Sequence, residues 1–219
     1  LFTDFNANAS ARLILSQKKS TIDFEDIMNS GKILICNFSK GLLDEDLAEL
    51  FGIAVLAKLQ LASLRRARLK QSEGRAFYLY VDEFQNFATP SFVQLLSEAR
   101  KYRLFLTIAE QSTSQQDDQQ MVNVILANVG RVVCVRTGTA RDERLLLPLF
   151  SHFIEQGDIS NLPAFNFYAK LSAVHAQESL SGQTLLLDND GSDEVAKAVI
   201  EHSRAAFATK VEPEEKLTG

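Results

Sequence analysis

Two adjacent carboxylates, Asp82 and Glu83, stand directly after a short apolar run, Phe77 to Val81. The run is apolar at every position, which predicts a strand buried on both faces in the middle of a parallel sheet. Open α/β sheets bind their ligands at the carboxyl ends of such strands. At that position the first acid can hold Mg²⁺ through water against nucleotide phosphates, and the second can polarise the water that attacks the γ-phosphate.

This arrangement is the layout of a Walker B element, but a two-residue motif also has a purely structural interpretation. Asp82 would then cap the helix that follows, and Glu83 would be a solvated side chain.

Polar side chains also follow two other predicted strands. Gln111 comes after one apolar run, and Arg136 and Thr137 come after another. Parallel strands present their carboxyl ends along one edge, so these groups are expected to converge with the two carboxylates. A glutamine amide beside a carboxylate pair can contact the γ-phosphate or orient water. The alternative for Gln111 is an ordinary strand-end amide.

Arg100 lies near the end of the helix predicted at 91–101. That helix runs back across the sheet, so its end lies about 15 Å from its start at 1.5 Å per residue. Arg100 is therefore expected to reach the site of a neighbouring subunit in a ring rather than its own. The alternative is a cation placed favourably at a helix C-terminus.

The elements that must position these residues alternate between strand and helix. Strands are predicted at 32–38, 77–81, 104–109, 131–135, 166–171 and 183–187, and helices at 44–71, 91–101, 121–128, 141–150 and 193–207. This alternation predicts an α/β fold with a mostly parallel sheet and helices on both faces. The last two strands are expected to form an antiparallel pair at the edge.

Composition and charge further limit the functions that are possible. The chain has 219 residues, 46% of them hydrophobic, which is enough for one substantial core. The net charge of −5 argues against a wholly basic coat for nucleic acid but not against a local basic groove. The basic residues between 58 and 70 are either such a groove or a solvated helix end.

Both cysteines, Cys36 and Cys134, lie in apolar runs, which predicts buried reduced thiols. The three histidines form no zinc pattern. No signal peptide is recognised, and no apolar run long enough to span a bilayer is expected.

Several blocks together resemble one family. The segments YVDEFQNFATPSFVQLLSEARKY, AEQSTSQ, ILANVG and VVCVRTG resemble the motor domain of type IV secretion coupling ATPases, in order and spacing from about Ile22 to Leu171. These are the TraG/TraD/VirD4-like members of the HerA/FtsK superfamily, with VirB4-like relatives. The resemblance implies a RecA-like P-loop NTPase fold over residues 1–208, with a charged tail at 209–219.

The resemblance also implies roles. Asp82 and Glu83 would be the Walker B pair, with Asp82 holding Mg²⁺ through water. Gln111 would be the glutamine of the third motif, Arg136 would contact ATP, and Arg100 would be the arginine inserted into the neighbouring subunit.

At the level of the whole protein, the resemblance implies a ring of six that pumps DNA through a central channel. The partners would be relaxosome or secretion-channel proteins. The location would be cytoplasmic, at the inner-membrane face, with membrane contact only through segments absent from this chain.

The sequence departs from the family in one respect, because it contains no G-x-x-x-x-G-K-[ST] phosphate loop. Gly31-Lys32 opens a predicted strand and lacks the context of such a loop. The chain also starts at Leu1 without Met, so it is expected to be the downstream half of a longer ATPase and inactive alone. Two alternatives stay open: a ring-forming interaction module without hydrolysis, and a VirB4-like ATPase that assembles the secretion apparatus.

Overall fold

The structure is a computed structural model that describes residues 9–15, 17–38, 44–68, 74–111, 119–171, 179–188 and 191–209. The helices are α1 (Ala9–Leu15), α2 (Phe24–Ser30), α3 (Glu45–Arg65), α4 (Pro90–Glu98), α5 (Gln119–Asn128), α6 (Ala140–Leu146) and α7 (Asp193–Phe207). The strands are β1 (Phe77–Val81), β2 (Leu104–Ile108), β3 (Arg131–Cys134), β4 (Asn166–Leu171) and β5 (Leu180–Gln183). Short 3-10 turns lie at Arg66–Arg68, Phe84–Asn86, Ala99–Tyr102 and Leu147–Phe150.

Strands β1 and β2 form a parallel pair in the register Phe77 to Leu104 through Val81 to Ile108. The main core packs against one face of this pair. Its buried side chains come from both strands, α2, α3, α4, the turns that follow β1 and α4, and α5: Met28, Leu56, Leu59, Ala62, Val81, Phe84, Phe92, Val93, Leu95, Ala99, Leu104 and Ile125. The predicted strands at 77–81 and 104–109 are therefore confirmed, the second ending one residue earlier.

Helix α3 is the central helix of this core. Its first turn is acidic, with Glu45 and Asp46, which suits the positive end of the helix dipole. At Gly52 the ring of Phe87 lies so close that an added Cβ would be 2.2 Å from it, so only glycine permits this contact. The helix thereby holds the segment that follows β1 in place.

By length and composition alone, α3 with its 3-10 turn, Glu45–Arg68, could also cross a membrane. This finding corrects the expectation that no such segment exists. The inner face of α3 packs in the core, through Leu56 and Leu59 among others. A core helix passes the same test, so the finding is weak support for a membrane role.

Within the part of the chain that the structure describes, the second face of the β1–β2 pair is open. Tyr78 is 62% and Tyr80 72% exposed, and the Tyr78 ring stacks on Phe105 of β2 at a centroid distance of 5.3 Å. The expectation that β1 is buried on both faces is therefore wrong here. Helices cover one face, and aromatic side chains lie bare on the other.

The segment 32–38 was expected to be the first strand, but it forms no strand in the structure. A cavity of about 1380 Å³ is lined by both this segment and β1, and among the described residues the segment is not part of either sheet. The segment is held instead at its ends, where Gly31 adopts the left-handed conformation (φ 76°) that ends α2 and the ring of Phe38 contacts that of Phe87 at 6.2 Å. Ile33 consequently stays 90% exposed.

The second sheet, β3-β4-β5, corrects the expectation of one mostly parallel sheet. Strand β3 pairs antiparallel with β4, and β4 pairs antiparallel with β5. The antiparallel pair at the end of the chain is confirmed, although β5 lies three residues earlier than expected. No ladder joins β2 to β3 among the described strands.

Two further outcomes concern single elements. The last helix, α7, has the expected bounds, begins with Ser192 as its cap, and buries none of its residues. Cys134 is buried as expected, whereas Cys36 is exposed because its segment does not join the sheet. The charged tail predicted at 209–219 lies, apart from its first residue, outside the described residues.

Candidate active site

The turn after β1 is pinned to the end of β2 by backbone hydrogen bonds. The Ala109 amide donates to the Val81 carbonyl at 2.9 Å, and the Phe84 amide donates to the Ala109 carbonyl at 3.0 Å. Between them, Glu83 adopts the left-handed conformation (φ 49°, ψ 45°). A residue other than glycine in this region carries a strain of about 1 kcal/mol, so the surrounding bonds must hold it there.

Phe84 anchors this turn in the core. Its side chain is fully buried and its ring lies 5.4 Å from that of Phe92 on α4. Helix α4 begins with its own cap, because the Thr89 hydroxyl accepts from the Phe92 amide at 3.2 Å. Asp82 therefore does not cap this helix; its Oδ1 accepts from the Glu83 amide at 3.0 Å.

The Glu83 carboxylate is held by two side-chain amides. Gln111 Nε2 donates to its Oε1, and Gln85 Nε2 donates to its Oε2 at 2.5 Å. Glu83 is half-buried and not merely solvated, so both structural alternatives for the carboxylate pair are contradicted by the geometry. Gln85 was not predicted from the sequence, where its signal is a side-chain amide two residues after Glu83 on a tight turn.

The large cavity ends at this cluster. Asp82, Glu83, Gln85, Asn86 and Gln111 line it on one side, and the rest of the lining is mostly apolar side chains from α3, β1 and residues 31–38, together with Lys32, Asn37 and Arg75. The arrangement can therefore bind a ligand that has a polar, anion-bearing end next to the carboxylates, provided that a cation neutralises the charge.

The donor set fits Mg²⁺ held through water. Asp82 presents an exposed carboxylate, the oxygen ligand that Mg²⁺ prefers, but the described residues contain no group of three acidic, histidine or cysteine side chains that could enclose a metal. Such a site is completed by phosphate oxygens and water rather than by this chain alone.

The structure separates two of the expected site residues from this cluster. Arg100 is exposed on the 3-10 turn before β2, at the opposite end of the strands, since the Arg103 carbonyl just beyond it accepts from the Phe77 amide at 2.9 Å. Arg136 and Thr137 follow β3, which belongs to the second sheet, and neither lines the cavity. The expected convergence is thus seen for Asp82, Glu83 and Gln111 and not for Arg136.

The basic residues at the end of α3 serve packing in part. Arg66 is 4% exposed and donates to the carbonyls of Tyr102, at 3.2 Å, and Arg75. Burial, and secondarily the charge of Arg103, lower the pKa of Arg66. Arg65 lies 3.6 Å from Glu25 in an exposed ion pair. These contacts favour neither a basic groove nor a solvated helix end, because the guanidinium of Arg66 points into the protein.

Two buried carboxylates, Asp142 and Glu143, lie on α6 beside the second sheet. Burial acts to raise the pKa of Glu143, but hydrogen bonds from Gly157, Ser160 and Ile159 outweigh it and lower the pKa overall. Asp142 shares a hydrogen bond of 2.7 Å with the Thr139 hydroxyl at the start of the helix. Glu143 fixes the 155–160 loop and Asp142 fixes the start of α6, so the role of both carboxylates is structural.

The fold, in which a parallel strand pair ends next to adjacent carboxylates, is similar to the fold of two solved structures. The chain is similar in fold to the plasmid coupling protein TrwB in complex with the non-hydrolysable ATP analogue ADPNP (17% identity, TM-score 0.51, covering 78% of this chain and 41% of TrwB). It is also similar to the genome packaging NTPase B204 from Sulfolobus turreted icosahedral virus 2 in complex with AMPPCP (14% identity, TM-score 0.50, covering 77% and 74%). These matches show the α/β fold of P-loop NTPases.

A family model matches part of the sequence. Residues 76–142 match the family model described as the TraM recognition site of TraD and TraG. The match confirms, for these residues, the resemblance to the downstream part of a TraG/TraD-like coupling ATPase. No curated protein sequence matches the chain. The chain spans about two fifths of the TrwB chain named above.

Proposed function

We propose that this chain is the downstream part of a motor domain, residues 1–208, in a TraG/TraD-like coupling ATPase that hydrolyses ATP to move DNA. The observation that carries the proposal is the carboxylate of Glu83, held by the amide of Gln111 from the next parallel strand and adjacent to Asp82. A strained, doubly hydrogen-bonded carboxylate at the carboxyl end of a strand is typical of a catalytic base.

In this mechanism each described residue has one task. Glu83 accepts the proton of the attacking water, and Gln111 orients that water or contacts the γ-phosphate. Asp82 holds Mg²⁺ through water, and the bound ion would neutralise charge on the phosphates. We keep Arg136 as a candidate contact to ATP from a different part of the domain.

Arg100 would act on the neighbouring subunit of a six-membered ring. Its side chain is exposed and forms no ion pair with the residues that the structure describes. Strand β1, five residues long, spans roughly 16 Å at 3.3 Å per residue, and Arg100 lies at the end away from Glu83. An arginine placed this far from its own site suits delivery in trans.

The exposed face of the β1–β2 pair supports the proposal that a further part of the same motor domain packs against it. Strands of a parallel sheet that are apolar on both faces are normally covered on both. We propose that the phosphate-loop half of the domain covers Tyr78, Tyr80 and Phe105 and supplies the loop that this sequence lacks. Among the described strands, β2 and β3 each have an unpaired edge that is available to it.

The matched family model names TraM, so a TraM-like relaxosome protein is the proposed partner, and the inner-membrane face of the cytoplasm is the proposed location. A VirB4-like assembly ATPase would share the site and lack the DNA dependence. Stimulation of hydrolysis by double-stranded DNA therefore supports the DNA motor, and its absence in an active enzyme supports assembly.

The test of the site is Glu83→Gln in the intact protein that carries this chain. Turnover should fall on the order of 10²–10⁴-fold because an amide cannot accept the proton of water, while Mg-ATP binding is retained. Glu49→Gln, an exposed position on α3, is the matched control and should keep wild-type turnover. An intact protein that hydrolyses no ATP would favour the non-hydrolysing ring module, and wild-type turnover in Glu83→Gln would remove Glu83 from the mechanism.

A further inference from the structure

We propose that Gln85 is the positioning residue for Glu83 during ATP hydrolysis. It holds one carboxylate oxygen in place, so that the other can face the attacking water. This inference rests on the proposed function and adds a residue that neither the motif nor the family resemblance assigns. In this proposal Gln85 acts through Glu83 and not through a contact to the nucleotide.

The turn that carries the donor, Gln85, is held rigidly. Gln85 lies in the 3-10 turn Phe84–Asn86, which is closed by the Asn86 amide donating to the Glu83 carbonyl at 3.0 Å. The Phe87 amide donates to the Phe84 carbonyl at 2.9 Å, and Phe84 itself is fully buried. The backbone that carries the half-buried side chain of Gln85 is therefore fixed by the core.

The amides of Gln85 and Gln111 donate to different oxygens of the Glu83 carboxylate. Gln85 Nε2 lies 2.5 Å from Oε2, whereas Gln111 donates to Oε1. Gln111 is exposed and is the residue expected to turn to the nucleotide. When it does, Oε1 becomes available to water and only Gln85 still holds Oε2.

The left-handed backbone of Glu83 leaves the direction of its side chain to be fixed by other contacts. A left-handed residue has no helical or strand partner that fixes the direction of its side chain, and φ is 49° here. Misplacing a reacting group by about 1 Å can cost on the order of 10²-fold in rate. A side-chain anchor on Oε2 would prevent that misplacement, and an amide N–H has no proton-accepting role of its own.

The experiment uses Gln85→Met in the intact protein, because Met keeps the length of the side chain and removes the donor. We expect kcat for ATP hydrolysis to fall about tenfold while KM for Mg-ATP stays unchanged, since the lost contact serves the transition state alone. Gln60→Met is the matched control: its Nε2 donates to the Ser91 carbonyl at 3.2 Å on α4, and the variant should leave kcat unchanged.

A second measurement distinguishes positioning from a structural role. Under single-turnover conditions, Gln85→Met in the Glu83→Gln background should cause no further loss, because the anchor has no carboxylate to hold. A further tenfold loss in that background, an unchanged kcat in the single variant, or a KM that changes in parallel with kcat would each overturn the proposal. Wild-type turnover in Glu83→Gln alone would instead refute the proposed function on which it rests.

Discussion

Gln111 donates a side-chain hydrogen bond to the Glu83 carboxylate across 28 residues of sequence. The bond joins the ends of two adjacent parallel strands, whose register aligns Val81 with Ile108. Because the Ala109 and Phe84 backbones are also bonded to one another, the two side chains meet on a fixed frame. This contact turns a two-residue motif and a distant glutamine into one site.

The isolated 219-residue chain should bind Mg-ATP more weakly than about 1 mM in calorimetry. It lacks the backbone N–H groups and the lysine that a phosphate loop provides, and its carboxylates repel the nucleotide. The intact protein is the control and should bind far more tightly. Micromolar affinity in the isolated chain would show that the described residues form a complete nucleotide site.

Arg100→Ala in the intact protein should lower ATP hydrolysis on the order of 10³-fold, since positive charge delivered in trans stabilises the transition state. The free energy of unfolding should change little because the side chain is exposed. Lys101→Ala, exposed on the same turn, is the control and should retain activity.

Mixing tests the trans arrangement directly. Subunits with Arg100→Ala combined with subunits with Glu83→Gln should regain activity, because mixed rings contain interfaces with one intact Glu83 and one intact Arg100. If exchange of subunits is demonstrated and no activity returns at any ratio, Arg100 does not act in trans.

Arg66→Met should destabilise the intact protein by about 1–3 kcal/mol, measured by urea unfolding. The substitution removes the donor that Arg66 provides to the part-buried carbonyls of Tyr102 and Arg75. Arg65→Met is the control; its exposed ion pair with Glu25 contributes at most about 1 kcal/mol. Equal effects of the two variants would contradict the structural role of Arg66.

Alkylation at pH 8 should label Cys36 and spare Cys134. Burial, and then the charges of Glu143 and Asp142, raise the pKa of Cys134 to about 11, so only about 0.1% of it is thiolate at that pH. Desolvation also raises the pKa of Cys36, but its side chain is exposed and accessible to the reagent. Peptide mass spectrometry reads both sites. Labelling of Cys134 before unfolding would contradict its burial.

The local pattern was sufficient to predict the elements of the site. The apolar run Phe77–Val81 and the carboxylates after it were assigned correctly because strand length and strand ends depend on neighbouring residues. The helix at 193–207 was predicted to the residue, since Ser192 and the acidic first turn are local start signals. The functions of all the site residues, Asp82, Glu83, Gln111, Arg100 and Arg136, stay predictions.

The tertiary structure decided which segments that are distant in sequence pair with one another. Segment 32–38 has a strand-like sequence, yet it is no strand in the structure because a strand requires an adjacent backbone to bond with, and a cavity separates it from β1. Strand β3 pairs with β4 rather than with the parallel pair for the same reason: local residues favour an extended chain and do not specify its neighbour.

The sequence by itself determined that Asp82 and Glu83 end a strand and that a glutamine ends the next one, because both facts follow from apolar runs and their limits. Only the tertiary structure decided that Gln85 and Gln111 both hold Glu83 and that Arg66 turns inward. Side-chain hydrogen bonds depend on backbone turns such as the left-handed Glu83 and on the packing of Phe84, which no local pattern of residue types encodes.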